Sequence, residues 1–337
     1  MDQLVAAAKK EGKVVVATSP DESFRKGVLG AFQAKYGIQG ENLSDPVATL
    51  QNRLVQEKSA GVHSTDVYLT AGAYIPPAYD AGLYAPIKPL IILPDAADPS
   101  KWIKGSGAPG PWYMDPKQQD LIRVAASLRY TFNINPDKID ASQIKKPEDM
   151  LDPKYKGKIT AYDPTIGGIG KPVAALILKT MGDDYFKKLY VGQAPKLAQD
   201  DRTIGDWVAK GTYPIGIGLA NDEAQRQKAA GFKTAVLKLD SPVSAALASG
   251  QYVMGVLVSP PHPNAAKLFV NWMLTQEAMQ AIANSDGVAT TRTDVDYSKV
   301  DPNIIPAPNG TYFDENNWAY VTGEQTALFA RIKPLLS

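Results

Sequence analysis

Cysteine is absent from the 337 residues, and histidine nearly so, with His63 and His262 alone. The first absence excludes structural disulfides, thiolate metal sites and cysteine nucleophiles. The second leaves no His-x-x-x-His metal spacing. No Gly-x-Ser-x-Gly elbow occurs, and Lys171 is followed by Pro172 where a phosphate loop needs serine or threonine. Catalysis is poorly supplied, so an enzyme is not expected. No apolar run reaches the eighteen or so residues of a membrane span. An excess of one charge is also lacking: 36 lysines and arginines face 35 aspartates and glutamates. No global field therefore points to nucleic acid or an acidic membrane, and a charged ligand would have to be held by local groups. The start, Met1-Asp2-Gln3-Leu4, carries no charged-then-apolar leader. It fits a cytosolic start and equally a mature exported chain given a new Met1.

What is present is a repeated strand-then-helix grammar. With 44% hydrophobic residues the chain can build two medium cores. Lys13-Val14-Val15-Val16-Ala17-Thr18 reads as a buried strand, and Phe24, Val28, Phe32 and Tyr36 recur at helical spacing after it. A helix over 49–60, a strand over 66–70 and a helix toward Asp80 repeat the unit. Residues 86–116, rich in Pro, Gly and Asp, read as a long surface excursion. Later strands are expected over 128–133, 213–219 and 252–259, and helices over 203–210, 221–230, 263–274, 276–284 and 318–336.

The most informative stretch is Asp163-Pro164-Thr165-Ile166-Gly167-Gly168-Ile169-Gly170-Lys171-Pro172, which joins the strand-like run from Lys158 to Tyr162 to the helix-like run from Val173 to Met181. Three glycines let a ligand approach the backbone, and the open N–H groups of the next helix suit an anion. An ordinary strand-to-helix loop is the competing reading.

The order of segments resembles the extracellular solute-binding proteins of ATP-driven importers, in the branch that includes ferric-ion, thiamine, polyamine and phosphonate binders. Ala8-Lys9-Lys10-Glu11-Gly12-Lys13 and the strand after it look like that family's opening. Asp66-Val67-Tyr68 with Ala81-Gly82-Leu83-Tyr84-Ala85-Pro86 looks like its second strand-helix unit, and Tyr130-Thr131-Phe132-Asn133-Ile134-Asn135 like its first hinge strand. Leu151-Asp152-Pro153-Lys154-Tyr155-Lys156-Gly157-Lys158-Ile159 is the most specific phrase. Ala209-Lys210-Gly211-Thr212-Tyr213-Pro214 and Pro263-Asn264-Ala265-Ala266 also match. The resemblance implies an α/β, two-lobed type II periplasmic-binding-protein fold, each lobe a mixed sheet flanked by helices, with two hinge crossings. Lobe one is expected to hold residues 1–134 and 242–337, lobe two 135–241, with a ligand cleft between them. It also implies delivery of a small-molecule solute to an ABC transporter permease, a periplasmic location with a lipid-anchored form as an option, a monomer, no nucleic-acid partner, no cofactor and no catalytic residues.

The expected ligand residues are Thr18, Ser19, Thr70 and Tyr74 with Trp112 and Tyr113 on the lobe-one side, Thr165, Ile166, Gly167, Gly168, Arg202, Asn221 and Asp222 on the other, and Arg292 from a late loop. Hydroxyls, backbone N–H groups and a guanidinium suit a carboxylate, phosphonate or phosphate. Ferric binders of this branch carry two adjacent tyrosines where this chain has Asn221-Asp222-Glu223, so a metal carrier is the lesser reading. A cation binder using Asp21, Glu22 and Asp222 beside aromatics is the other alternative.

Overall fold

The computed structural model describes residues 1–103, 110–307, 310 and 312–337. Helix α1 (Asp2–Glu11) stops at Gly12, whose φ of 80° is the left-handed cap that glycine adopts without strain. The β-branched run after it is β1 (Lys13–Thr18). The Phe24-to-Tyr36 stripe folds as a π-turn over Phe24–Leu29 running into α2 (Gly30–Tyr36), so it is helical but not one regular helix. β2 (Gln39–Ser44) follows; it has no apolar alternation and pairs only along the sheet edge beside β1, which is why its sequence gives no strand signal. Then come α3 (Val47–Ser59), β3 (Val67–Thr70), α4 (Ile75–Asp80) and β4 (Tyr84–Ala85). The stretch expected as a surface excursion holds three short 3-10 turns between Lys88 and Lys101, a buried Trp102, and β5 (Trp112–Tyr113); residues 104–109 of it lie outside the described residues.

The chain continues through β6 (Leu121–Arg123), β7 (Ser127–Tyr130), β8 (Phe132–Ile134), β9 (Ile159–Tyr162), α5 (Gly170–Lys187), β10 (Lys196–Ala198) and α6 (Asp201–Lys210). β11 (Ile215–Ile217), α7 (Asn221–Ala229), β12 (Ala235–Val236), β13 (Ala245–Ala248) and β14 (Val253–Leu257) come next. α8 (Pro263–Met273), α9 (Gln276–Asp286), β15 (Phe313–Asp314) and α10 (Gln325–Leu335) complete it.

Two units result, one of residues 1–127 and 249–309, the other of 128–248 and 310–337. The expected division placed 242–337 with the first segment. The tail instead joins the second unit, where α10 packs along α5 with an Arg331–Asp183 ion pair, and Glu324, just before α10, pairs with Lys179 of α5.

In the first unit the strands run in the order β2-β1-β3-β14-β6-β5, with β4 also on β14. β1 and β3 are parallel, whereas β14 is antiparallel to β3 and β6 to β14. One face packs on α8, α9 and the Phe24–Leu29 turn, where Phe32 meets Phe269 and Trp272 edge-on at 5.2 and 5.3 Å. Asp66, fully buried before β3, accepts from the Val15 and His262 backbone N–H groups, each at 2.7 Å, and faces His262 Nδ1 at 2.9 Å. It ties the rigid Pro260–Pro263 loop to the sheet, and burial raises its carboxyl pKa.

The second unit has a sheet in the order β10-β9-β11-β8-β12 and a smaller one, β15-β13-β7. β9, β10 and β11 are parallel. Each feeds a helix: β9 leads to α5, β10 to α6 and β11 to α7.

Candidate functional site

Three parallel strands that each turn into a helix bring three helix N-termini to one sheet edge in the second unit, where open α/β sheets hold ligands. The turn after β9 is fixed at both ends. Asp163 N–H donates to the Ala198 carbonyl at 2.8 Å, and the Asp163 carboxylate accepts from the Thr165 N–H at 2.8 Å and the Thr165 hydroxyl at 2.6 Å. Gly168 has φ 94°, and a Cβ there would lie 2.6 Å from the Tyr162 hydroxyl. Thr165, Gly167 and Gly168 are exposed, while Ile166 is half-buried against the small cluster of Tyr162, Ala198, Ile204, Val208 and Leu219. Among the described residues no protein acceptor takes the N–H of Gly167, Gly168 or Ile169. α5 starts after Ile169 without a side-chain cap.

Beside this turn, Asp200 caps α6 by accepting from the Thr203 N–H at 2.7 Å. Arg202 follows inside the first helical turn, exposed and without a carboxylate partner among the described residues. Asn221 opens α7 and donates from Nδ2 to the Leu128 carbonyl at 3.0 Å, so it ties the helix to β7; Asp222 beside it is exposed. Glu223 is buried and taken by Arg226 and by Gln227 Nε2 at 2.8 Å, in a space that exists because Gly205 of α6 has no side chain.

Asp201 reads from the sequence as a surface cap. It is instead largely buried, its Oδ1 has no hydrogen-bond partner among the described residues, and its pKa is raised to about 7. Burial is the main cause; the charges of Asp222, Glu223 and Asp200 add to it. The α6 N-terminus favours the ionised form by about 0.3–1 kcal/mol, less than one pKa unit, and so does not reverse the direction.

In the first unit, register places Thr70, Val253, Arg123 and Trp112 in one row across β3, β14, β6 and β5 at the carboxyl end of β3. Arg123 is buried, its guanidinium 3.9 Å from the Trp112 ring centre, and its Nε donates to the Ser249 hydroxyl at 2.7 Å. Sequence reading missed Arg123. The available signal was one cation inside the apolar run Leu121-Ile122-Arg123-Val124.

The expected first-unit residues meet different fates. Thr70 is buried with an unpartnered hydroxyl, Tyr74 and Ser19 are half-exposed, and Trp112 lies under Arg123. Thr18 is committed locally: its hydroxyl donates to the Ser19 carbonyl at 2.9 Å and accepts from Asn42 Nδ2 at 2.9 Å. Tyr113 belongs to the hydrophobic core. Arg292, expected as a ligand residue, is instead a structural one. It is 1% exposed, paired with Asp294 and Asp95, donates to the Leu274 carbonyl at 3.0 Å, and lies over Trp102, so its donors are taken up by packing.

Glu22, one of the acids of the cation reading, is held by Arg25 and Lys26 on its own helix turn, with its pKa lowered to about 2. Asp21 accepts from the Phe24 N–H at 3.0 Å and from Gln251. Among the described residues no group of three or more His, Asp or Glu is placed to hold a metal.

Residues 28–306 match the family model of the bacterial extracellular solute-binding protein. An uncharacterized protein of Haemophilus influenzae is 26% identical over 196 residues, 53% of this chain and 53% of that protein, so the chain spans about half the length of the curated relative it matches. Iron-bound HitA from Pseudomonas aeruginosa superposes with a TM-score of 0.72 at 19% identity, over 95% of this chain and 99% of that one. The periplasmic binding protein AfuA from Actinobacillus pleuropneumoniae, with fructose-6-phosphate bound, gives 0.68 at 19% identity over 97% and 99%. At such identities the likeness establishes the two-lobed periplasmic-binding fold, and no described helix is long and apolar enough to cross a membrane. With 279 of its 337 residues inside the family model, the chain belongs to the bacterial extracellular solute-binding proteins.

Proposed function

We propose that the protein captures a small organic anion, a carboxylate, phosphonate or phosphate, and delivers it to an ABC transporter permease from the periplasm. One observation carries the choice of sign: the exposed turn at Gly167–Ile169 offers backbone N–H groups that no described protein acceptor takes, at the N-terminus of α5. Arg202, exposed one helix away, supplies a guanidinium that can grip such a group by two donors. Hinge closure on the bound solute is then driven by its higher affinity for the closed state. A dissociation constant of about a micromolar corresponds to roughly 8 kcal/mol, within reach of a few charge-assisted hydrogen bonds. That AfuA is recorded with fructose-6-phosphate agrees with this class of ligand.

Iron-bound HitA keeps a metal carrier in view. Against it stand Asn221-Asp222 where paired tyrosines would be needed, and a Glu223 already bound by Arg226. Thermal melts against carboxylates, phosphonates, sugar phosphates, amines and ferric ion decide, because a ligand that binds the folded state alone raises the melting temperature. Stabilisation by one class of anion is expected. Stabilisation by ferric ion with a phenolate charge-transfer band, or by amines alone, would overturn the proposal.

A further inference from the structure

Tyr68 and Thr70 stand two residues apart on β3 and so share a face of the sheet. Tyr84, on β4, lies parallel to Tyr68 within 9°, ring centres 6.5 Å apart. Between them runs β14 with Gly255 directly opposite Tyr68. A Cβ on Gly255 would come within 2.5 Å of the Tyr84 ring, so the glycine is what admits it. All three hydroxyl oxygens are buried, and none has a hydrogen-bond partner among the described residues. The Thr70 hydroxyl and the Tyr74 phenol both lie near Tyr68. Burial drives the Tyr68 phenol up to about 12 and raises that of Tyr84 well above its ordinary value, so both stay protonated and able to donate.

A protein core does not ordinarily carry three orphan hydroxyls on one face, since each forfeits the bonds it makes with water in the unfolded chain. Thr70 stands at the carboxyl end of β3, in the row that holds Arg123 and Trp112; Tyr68 lies one row back, opposite Gly255, and Tyr84 is paired with Leu257 on the same face, with half-exposed Tyr74 near Tyr68. We infer that Tyr68, Thr70 and Tyr84 form a hydroxyl-reading subsite for the solute, which makes the ligand a hydroxylated organic anion such as a hydroxy acid or sugar acid. This rests on the anion reading above and narrows it. Arg123, two strands from Thr70 in the same row, carries positive charge on that side of the sheet. The three hydroxyls exchange donor and acceptor roles with the alcohol groups of the guest, and an anion lacking those alcohols leaves them unpaired again.

The test compares pairs that differ in hydroxyls, citrate with tricarballylate and gluconate with hexanoate, by calorimetric titration of the full chain and of Tyr68→Phe, Tyr84→Phe and Thr70→Val. In the wild type the hydroxylated member is expected to bind at least about tenfold tighter. Each variant should lose about three- to tenfold of affinity for it, the range of one hydrogen bond, and little for its deoxy partner. Their melting temperatures without ligand should hold or rise, because no protein hydrogen bond is removed. Equal affinity for both members of each pair leaves the anion reading intact and overturns this inference. So does a variant that melts lower while binding unchanged, the mark of hydroxyls satisfied by a structural water. Binding of amines or metal ions alone sinks the anion reading and this inference with it.

Discussion

Glu11, the last residue of α1, accepts from the Asn264 backbone N–H at 3.1 Å and from Asn264 Nδ2 at 2.6 Å, while its other oxygen accepts from the Ala265 N–H at 2.7 Å. A carboxylate from one end of the sequence thus caps α8 near the other. Two of the phrases that carry the family resemblance, Lys10-Glu11-Gly12 and Pro263-Asn264-Ala265, are therefore halves of one contact. Glu11→Gln should cost about 1–3 kcal/mol, the range for a charge-assisted bond at a helix N-terminus. A lowered urea midpoint at unchanged slope would check it, with ligand affinity intact.

Asp201 predicts a pH dependence. Its carboxyl pKa rises from 3.8 in the ordinary state to about 7 in the folded chain, so between those values the folded state holds a proton that the unfolded state has released. Stability is therefore fullest below about pH 4 for this group and declines as pH rises toward 7. Asp201→Asn removes that decline. Urea melts at pH 5 and pH 8 should show the variant gaining on the wild type by a few kcal/mol at the higher pH, to order of magnitude.

The turn after β9 should tolerate no side chain at Gly168. With φ 94° and the Tyr162 hydroxyl 2.6 Å from where an added methyl would sit, Gly168→Ala combines backbone strain with a clash. We expect a loss of about 1–3 kcal/mol in stability and of most affinity for the stabilising anion, read by titration. Retained affinity would remove this turn from the binding surface.

Arg292→Met leaves Asp294 and Asp95 without their cation and the Leu274 carbonyl without its donor. Both carboxylates reach solvent, which screens part of the loss, so about 2–4 kcal/mol of stability is expected. Solute affinity of the surviving folded protein should be unchanged in the same titration, since the residue holds structure together.

The alternation of strands and helices, the helix stripes and the glycine turn were legible because periodicity and turn chemistry are local properties. Phe269, Val270, Met273 and Leu274 lie in the core as their spacing requires. What local pattern could not show is who meets whom. Arg292 looked available because Asp294 and Asp95 reach it only after folding, and Thr18 looked open because Asn42 arrives from the neighbouring strand. The surroundings of Arg123 and Tyr84 could not be read because they are built by β14, which returns to the sheet more than a hundred residues after β6. The assignment of residues 310–337 to the second unit was likewise invisible: the helix stripe of α10 says that it packs, and nothing in it says on which partner.

That tail has a consequence for how the chain is made. Each unit is sewn from separated stretches, and the second lacks α10, the cover of α5, until residues past 310 exist. A nascent chain thus completes neither unit until most of it has been made, so both cores close late and close to one another in time.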